Sequence, residues 1–133
     1  MRSAIVAIVV LSLHSHPASA VEELFLFGGP HHKEFLGCLN CNEFAFNSVW
    51  NDFSIYGWRN DVGKWSPLGP FAGLSGPYSA CNILANDPPV IVDRQGTLYG
   101  RVTINELMSG SVCAYLSNTD RLCRALDVMC SGR

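Results

Sequence analysis

Apolar residues fall along the chain in four distinct patterns. Ala4 to Leu13 (AIVAIVVLSL) is an uncharged, strongly apolar run of ten residues. Leu24-Phe25-Leu26-Phe27 and Val90-Ile91-Val92 are short apolar runs, each followed by turn chemistry, Gly28-Gly29-Pro30 in one case and Asp93-Arg94-Gln95-Gly96 in the other. That order predicts strands closed into hairpins, returning over Phe35 to Cys41 and over Thr97 to Ile104. Pro88-Pro89 sets an extended entry to the second hairpin. Near the end the period changes: Leu122, Leu126 and Met129 recur at i, i+4 and i+7. This predicts a helix over about 119–130, with Asn118 or Thr119 as N-cap and Gly132 just past its end. The fold class expected is mostly β: two related hairpin units joined by aromatic-rich loops, plus one C-terminal helix.

The two hairpin segments match without gaps when one slides over the other by 63 residues. FLGCLNCNEFAFNSVWN (35–51) then falls on LYGRVTINELMSGSVCA (98–114), pairing Gly37 with Gly100, Asn42 with Asn105, Glu43 with Glu106, Ser48 with Ser111 and Val49 with Val112. An internal repeat, over about 24–51 and 88–114, is the expectation. The stretch between, roughly 45–87, is too aromatic for a disordered linker and reads as ordered loops packed on the sheet. Within it Ser48-Val-Trp-Asn51 and Ser79-Ala-Cys-Asn82 share an S-x-x-N pattern, which reads as a turn capped by a Ser or Asn side chain.

The first apolar run is half the length that spans a bilayer. Arg2 precedes it and Pro17-Ala18-Ser19-Ala20 follows, so residues 1–20 read as a secretory signal peptide with Val21 as the new N-terminus. Residue 21 is not cysteine, which argues against a lipoprotein. A single exported domain, 21–133, is expected, periplasmic or secreted, with no membrane span after cleavage. Export removes only Arg2 among the charges, so nine basic residues become eight against eleven acidic, net −3. Nothing in that balance calls for nucleic acid.

All six cysteines (Cys38, Cys41, Cys81, Cys113, Cys123 and Cys130) lie in the exported part. An even count in that compartment predicts disulfides. On a helix Cys123 and Cys130 share a face about 10.5 Å apart, too far to bond each other. Both are expected to turn outward and tie the helix to the β part, through two of Cys38, Cys41, Cys81 and Cys113. If Cys38 and Cys41 share a strand, their Cα atoms stand about 10 Å apart, so each is expected to pair elsewhere. A redox role for this CxxC would need a helix N-terminus beside it.

Three strings (LFGG…HKEFLGCLNCNEF, S-x-W-N-D-F-x-x-Y-G over 48–57 and NDPPVIVDRQGTLYGRVTIN over 86–105) resemble a family of small exported bacterial proteins. Its members share F-L-G-x-L-x-x-N, S-x-x-N-x-[YF]-x-x-Y-G and P-P-x-I-V-D-x-x-G-x-x-Y-G-x-L-T-x-N. The likeness covers about residues 24–105 and implies no activity. Trp58 to Gly76 departs from the pattern, and the cysteine-bearing tail from Cys113 lies outside it.

Candidate chemistry is sparse. Glu43 and Glu106 occupy equivalent repeat positions, and facing carboxylates serve acid/base work such as glycoside hydrolysis; the competing expectation is that each closes a strand and faces water. His31 and His32 with Cys38 and Cys41 lack the convergent spacing of a zinc site, so no metal and no cofactor is expected. Among the aromatics, Trp50, Tyr56, Trp58 and Trp65 are the candidates for binding a glycan or protein, against the pull of the core on large side chains. The function class expected is a non-enzymatic exported binding or interaction module, with an unidentified extracytoplasmic protein or glycan as partner. The alternatives are a small extracellular enzyme acting on cell-wall polymer and a structural envelope protein.

Overall fold

The structure is a computed structural model and describes residues 21–115 and 120–132. The proposed signal peptide, and Asn118 and Thr119, lie outside the described residues. Four strands form one antiparallel sheet: β1 (Phe25–Gly28), β2 (Glu34–Cys38), β3 (Val90–Val92) and β4 (Leu98–Arg101), in the order β2-β1-β3-β4. One helix, α1, spans Arg121–Cys130. The chain is thus mostly β with a C-terminal helix, as the apolar patterns predict. No helix among the described residues is long and apolar enough to cross a membrane.

The returning strands are shorter than the sequence pattern suggests, because the backbone leaves the sheet early to bond elsewhere. Cys38 N donates to Asn47 O and Arg101 N to Gly110 O, both at 2.7 Å, while Leu39 N to Leu24 O and Val102 N to Pro89 O add one last bond to each ladder. The two hairpins share further detail. Each ladder carries a bulge, between Leu26 and Phe27 in one and between Ile91 and Val92 in the other. The central pairing is symmetric about Leu26–Ile91, flanked by Phe25–Val92 and Phe27–Val90. The order β2-β1-β3-β4 sets one hairpin on either side of that pair.

The aromatic segment is not a set of irregular loops but a regular coil. From Ala45 to Gly69, every third N–H donates to the carbonyl three residues back, at 2.9–3.2 Å. Residues nine apart are joined as neighbouring rungs: Trp58 N to Val49 O, Lys64 N to Ile55 O and Ala80 N to Phe71 O. The sequence encodes this as Asn42, Asn51 and Asn60, with Ala, Ser or Gly at the other third positions. Each of these Asn side chains accepts from the N–H two residues on (Phe44, Phe53, Val62), which closes the turn. The Nδ2 groups of Asn51 and Asn60 donate back to Ala45 O and Ser54 O at 3.1 and 3.0 Å, fastening turn to turn. The S-x-x-N turns behave as expected, with Ser48 Oγ accepting from Trp50 N and Ser79 Oγ from Cys81 N, both at 3.1 Å.

Sheet, coil and helix enclose one core of Leu26, Leu36, Val49, Trp65, Phe71, Ile91, Val102, Leu126 and Met129. Removing such a side chain from water stabilises by about 1.5–3 kcal/mol. Helix α1 starts at Arg121 because Asp120 caps it, its carboxylate accepting from Leu122 N and Cys123 N at 2.9 and 3.4 Å. Asp120, rather than Asn118 or Thr119, is therefore the N-cap.

All six cysteines are oxidised: Cys38–Cys41, Cys81–Cys130 and Cys113–Cys123. Both helix cysteines turn outward and anchor α1, as the spacing requires. The exclusion of a Cys38–Cys41 bond is corrected: the strand ends at Cys38 and the chain bends, so their Cα atoms stand 5.5 Å apart. Three disulfides fit an oxidising, extracytoplasmic environment.

Candidate functional site

The nine-residue coil sets out its side chains in rows. Glu43, Asp52 and Asp61 each follow a turn Asn, so their carboxylates form one row up the coil. Phe44, Phe53 and Val62 form the next, at 83, 98 and 92 % exposure. Neighbouring hydrogen-bonded rungs lie about 4.8 Å apart, so both rows repeat at that interval.

Helix α1 stands opposite the acidic row. Between them lies a cleft of about 650 Å³, lined on the coil side by Glu43, Trp50, Asp52, Trp58, Arg59 and Asp61, and on the helix side by Arg121, Arg124, Ala125 and Val128. Two of its indoles carry a guanidinium over the ring. Arg121 sits 3.9 Å from the Trp50 centroid and Arg59 4.9 Å from that of Trp58. Each arginine also has a carboxylate nearby, Glu43 at 4.0 Å from Arg121 and Asp52 at 3.6 Å from Arg59. Trp50 is held from behind, its Nε1 donating to Leu39 O at 2.5 Å. The result is two half-buried indoles, each packed on the core and covered by a guanidinium with a carboxylate beside it.

The sequence candidates divide. Trp50 and Trp58 reach the cleft. Tyr56 packs edge-on against Phe35, 5.0 Å between centroids, in a cluster with Phe25 and Phe27. Trp65 is buried in the core and donates to Leu36 O at 3.1 Å. Glu43 lines the cleft, whereas Glu106 lies in a separate depression of about 230 Å³ beside Cys113, Cys123 and Asp127. The two carboxylates thus share no cleft. His31 is exposed, and His32 Nε2 lies 2.8 Å from Asp87 Oδ1. Cys38 and Cys41 are committed to each other. No group of three or more His, Cys, Asp or Glu suited to a metal ion occurs among the described residues.

Asp52, Asp61, Arg59, Arg121 and Arg124 belong to the site and were not singled out from sequence. The nine-residue recurrence of Asn-Glu-Phe, Asn-Asp-Phe and Asn-Asp-Val was the signal that would have found the first two. No family model, no curated protein and no solved structure matches the chain.

Proposed function

We propose that this chain is a non-enzymatic exported binding module whose helix–coil cleft takes up a glycan. The observation that supports the reading is the pair of indoles, Trp50 and Trp58, lining one open cleft together with carboxylates and guanidiniums. A sugar ring offers an apolar face for an indole and hydroxyls that exchange hydrogen bonds with the rim; sites of this kind join aromatic walls to a few placed polar groups. Export by a signal peptide cleaved before Val21, into periplasm or medium, belongs to the same proposal, as does membership of the exported bacterial family resembled above. The separation of Glu43 from Glu106 favours binding over the acid/base alternative.

The test is co-sedimentation of the exported protein with insoluble cell-wall glycan, followed by titration with soluble fragments. Binding is expected to fall about tenfold when both Trp50→Ala and Trp58→Ala are introduced, from the loss of two aromatic contacts. Binding unchanged in that double variant, or none in the parent, would sink the reading.

We further propose that the two hairpin units arose by internal duplication. The matching bulges of the two ladders support this, as do backbone hydrogen bonds 63 residues apart, such as Ala45 N to Asn42 O and Met108 N to Asn105 O. The symmetry extends to the helix contacts: the equivalent of Trp50 is Cys113, so α1 is seated on the same position of both units. It meets one through a cation over a ring and the other through a disulfide.

A further inference from the structure

We infer that the side of the coil facing neither the core nor α1 is a dimer interface, and that its partner is a second copy of this chain. Successive turns of three residues give each nine-residue rung three sides. Val49 and Trp65, beside Ser48 and Ser66, are buried in the core. Trp50, Asp52, Arg59 and Asp61, beside Asn51 and Asn60, line the cleft against α1. The third side flanks Ala45, Ser54 and Gly63, with Phe44, Phe53 and Val62 along one border and Phe46, Ile55 and Lys64 along the other. Its apolar members are bare among the described residues, Phe46 at 80 % and Ile55 at 55 % exposure adding to the exposed first border. The polar side chains here are spent. Ser54 is buried with its Oγ donating to Phe46 O, and Lys64 Nζ is held by Glu34 at 2.6 Å. A glycan, a polar peptide or an anionic membrane therefore finds no open side-chain donor or cation, and the occupant is an apolar, uncharged face. This side is such a face itself. Only small residues stand between its two borders, so a ridge runs beside a furrow. Both copies repeat at the same interval of about 4.8 Å, so each ridge seats in the other's furrow about a two-fold axis. Residue 71, next in the series after Phe44, Phe53 and Val62, is buried in the core, so the face ends after three rungs and one partner covers it. At the roughly 200 Å² that a large aromatic buries, the three phenylalanines would take about 500 Å² of each copy from water. With Ile55 and Val62 the face approaches the roughly 800 Å² per partner of a standard interface, more than monomers usually leave bare.

Sedimentation velocity of the exported protein, from about 1 μM to about 100 μM, measures the assembly. A monomer–dimer equilibrium with a dissociation constant of about 10 μM or tighter is expected, the weak end for an interface of this area. The double variant Phe44→Ser with Phe53→Ser removes two of the three rings. Both side chains are exposed in the single copy, so thermal melts of dilute protein should match the parent, while the dissociation constant rises at least about tenfold. Leu107→Ser is the control: Leu107 is 97 % exposed but lies outside the three rungs, and its loss should leave the dimer intact. High salt should leave the dimer intact as well, because the face is uncharged. A parent that stays monomeric across the range overturns the inference, whatever else covers the face. So does a dimer that survives the double variant, or one that Leu107→Ser or high salt dissolves. Species that keep growing with concentration overturn the closed two-fold contact.

Discussion

At the scale of single residues, two positions carry more than their size suggests. Gly57 sits at a small position of the coil, and a Cβ built there would run into Asn51 O, with Ser54 O at 3.2 Å behind it. These are backbone atoms of the coil, so no side-chain rotation relieves the clash. Gly57→Ala should destabilise by about 1–3 kcal/mol, as overpacking does, and a denaturant titration showing no loss would contradict the crowded interior. Asp93 closes the β3–β4 turn, accepting from Gln95 N and Thr97 N at 2.9 Å and from Tyr99 Oη at 3.1 Å. Burial raises its pKa, but these donors outweigh that and hold it below the ordinary 3.8. A carboxylate depressed by folding contributes stability above its unfolded pKa and loses it as pH falls through the lower folded value. Asp93→Asn should therefore be less stable than the parent at neutral pH, with the gap closing below about pH 3.8. Denaturant midpoints measured across that range check it; a constant gap would mean the carboxylate's charge is not what the turn uses.

At the scale of elements, α1 has only ten residues and would be marginal in isolation. What holds it is Leu126 and Met129 in the core and a disulfide from each end. In the chain-entropy account Cys81–Cys130, closing 49 residues, stabilises by about 4 kcal/mol, and Cys113–Cys123, closing 10, by about 3. Cys38–Cys41, closing 3, contributes about 2. Replacing each pair with serine should lower the melting temperature in that order, with the first loss on the order of 15 °C. A larger loss from the Cys38/Cys41 pair would show that the bend after β2, rather than the anchoring of α1, governs stability. Both helix anchors were legible from the spacing of Cys123 and Cys130 alone, because helical rise is fixed. The Cys38–Cys41 bond was not, because strand geometry was extended past Cys38, whose N–H already turns to Asn47 O in the coil.

At the scale of the whole molecule, short apolar runs with turn residues made the hairpins visible and a helical period the helix, while the coil stayed hidden. Its signal is a recurrence of small and Asn residues at threes and nines, carried by turn-closing hydrogen bonds rather than by buried apolar faces. The cleft was hidden for the same reason: its carboxylate row follows the coil period, and its arginines come from another element. The symmetry of the sheet offers the sharpest test of this picture. Gly37 and Gly100 occupy equivalent bulge sites with φ of 126° and 153°, a region that L residues rarely adopt. A Cβ at Gly37 would meet Val49 Cγ1 at 2.6 Å, and one at Gly100 would collide with Cγ1 of Val112, the equivalent valine. Gly37→Ala and Gly100→Ala should each destabilise by roughly 1–3 kcal/mol, from backbone strain and the clash together. Trimming the valine should relieve only the clash within its own half: Val49→Ala should partly rescue Gly37→Ala but not Gly100→Ala, and Val112→Ala the reverse. Double-mutant cycles on folding stability measure these couplings directly. Coupling of about 0.5 kcal/mol or more within each half and none across halves is the expected result. Coupling in one half alone would mean that the matching bulges no longer play the same structural part.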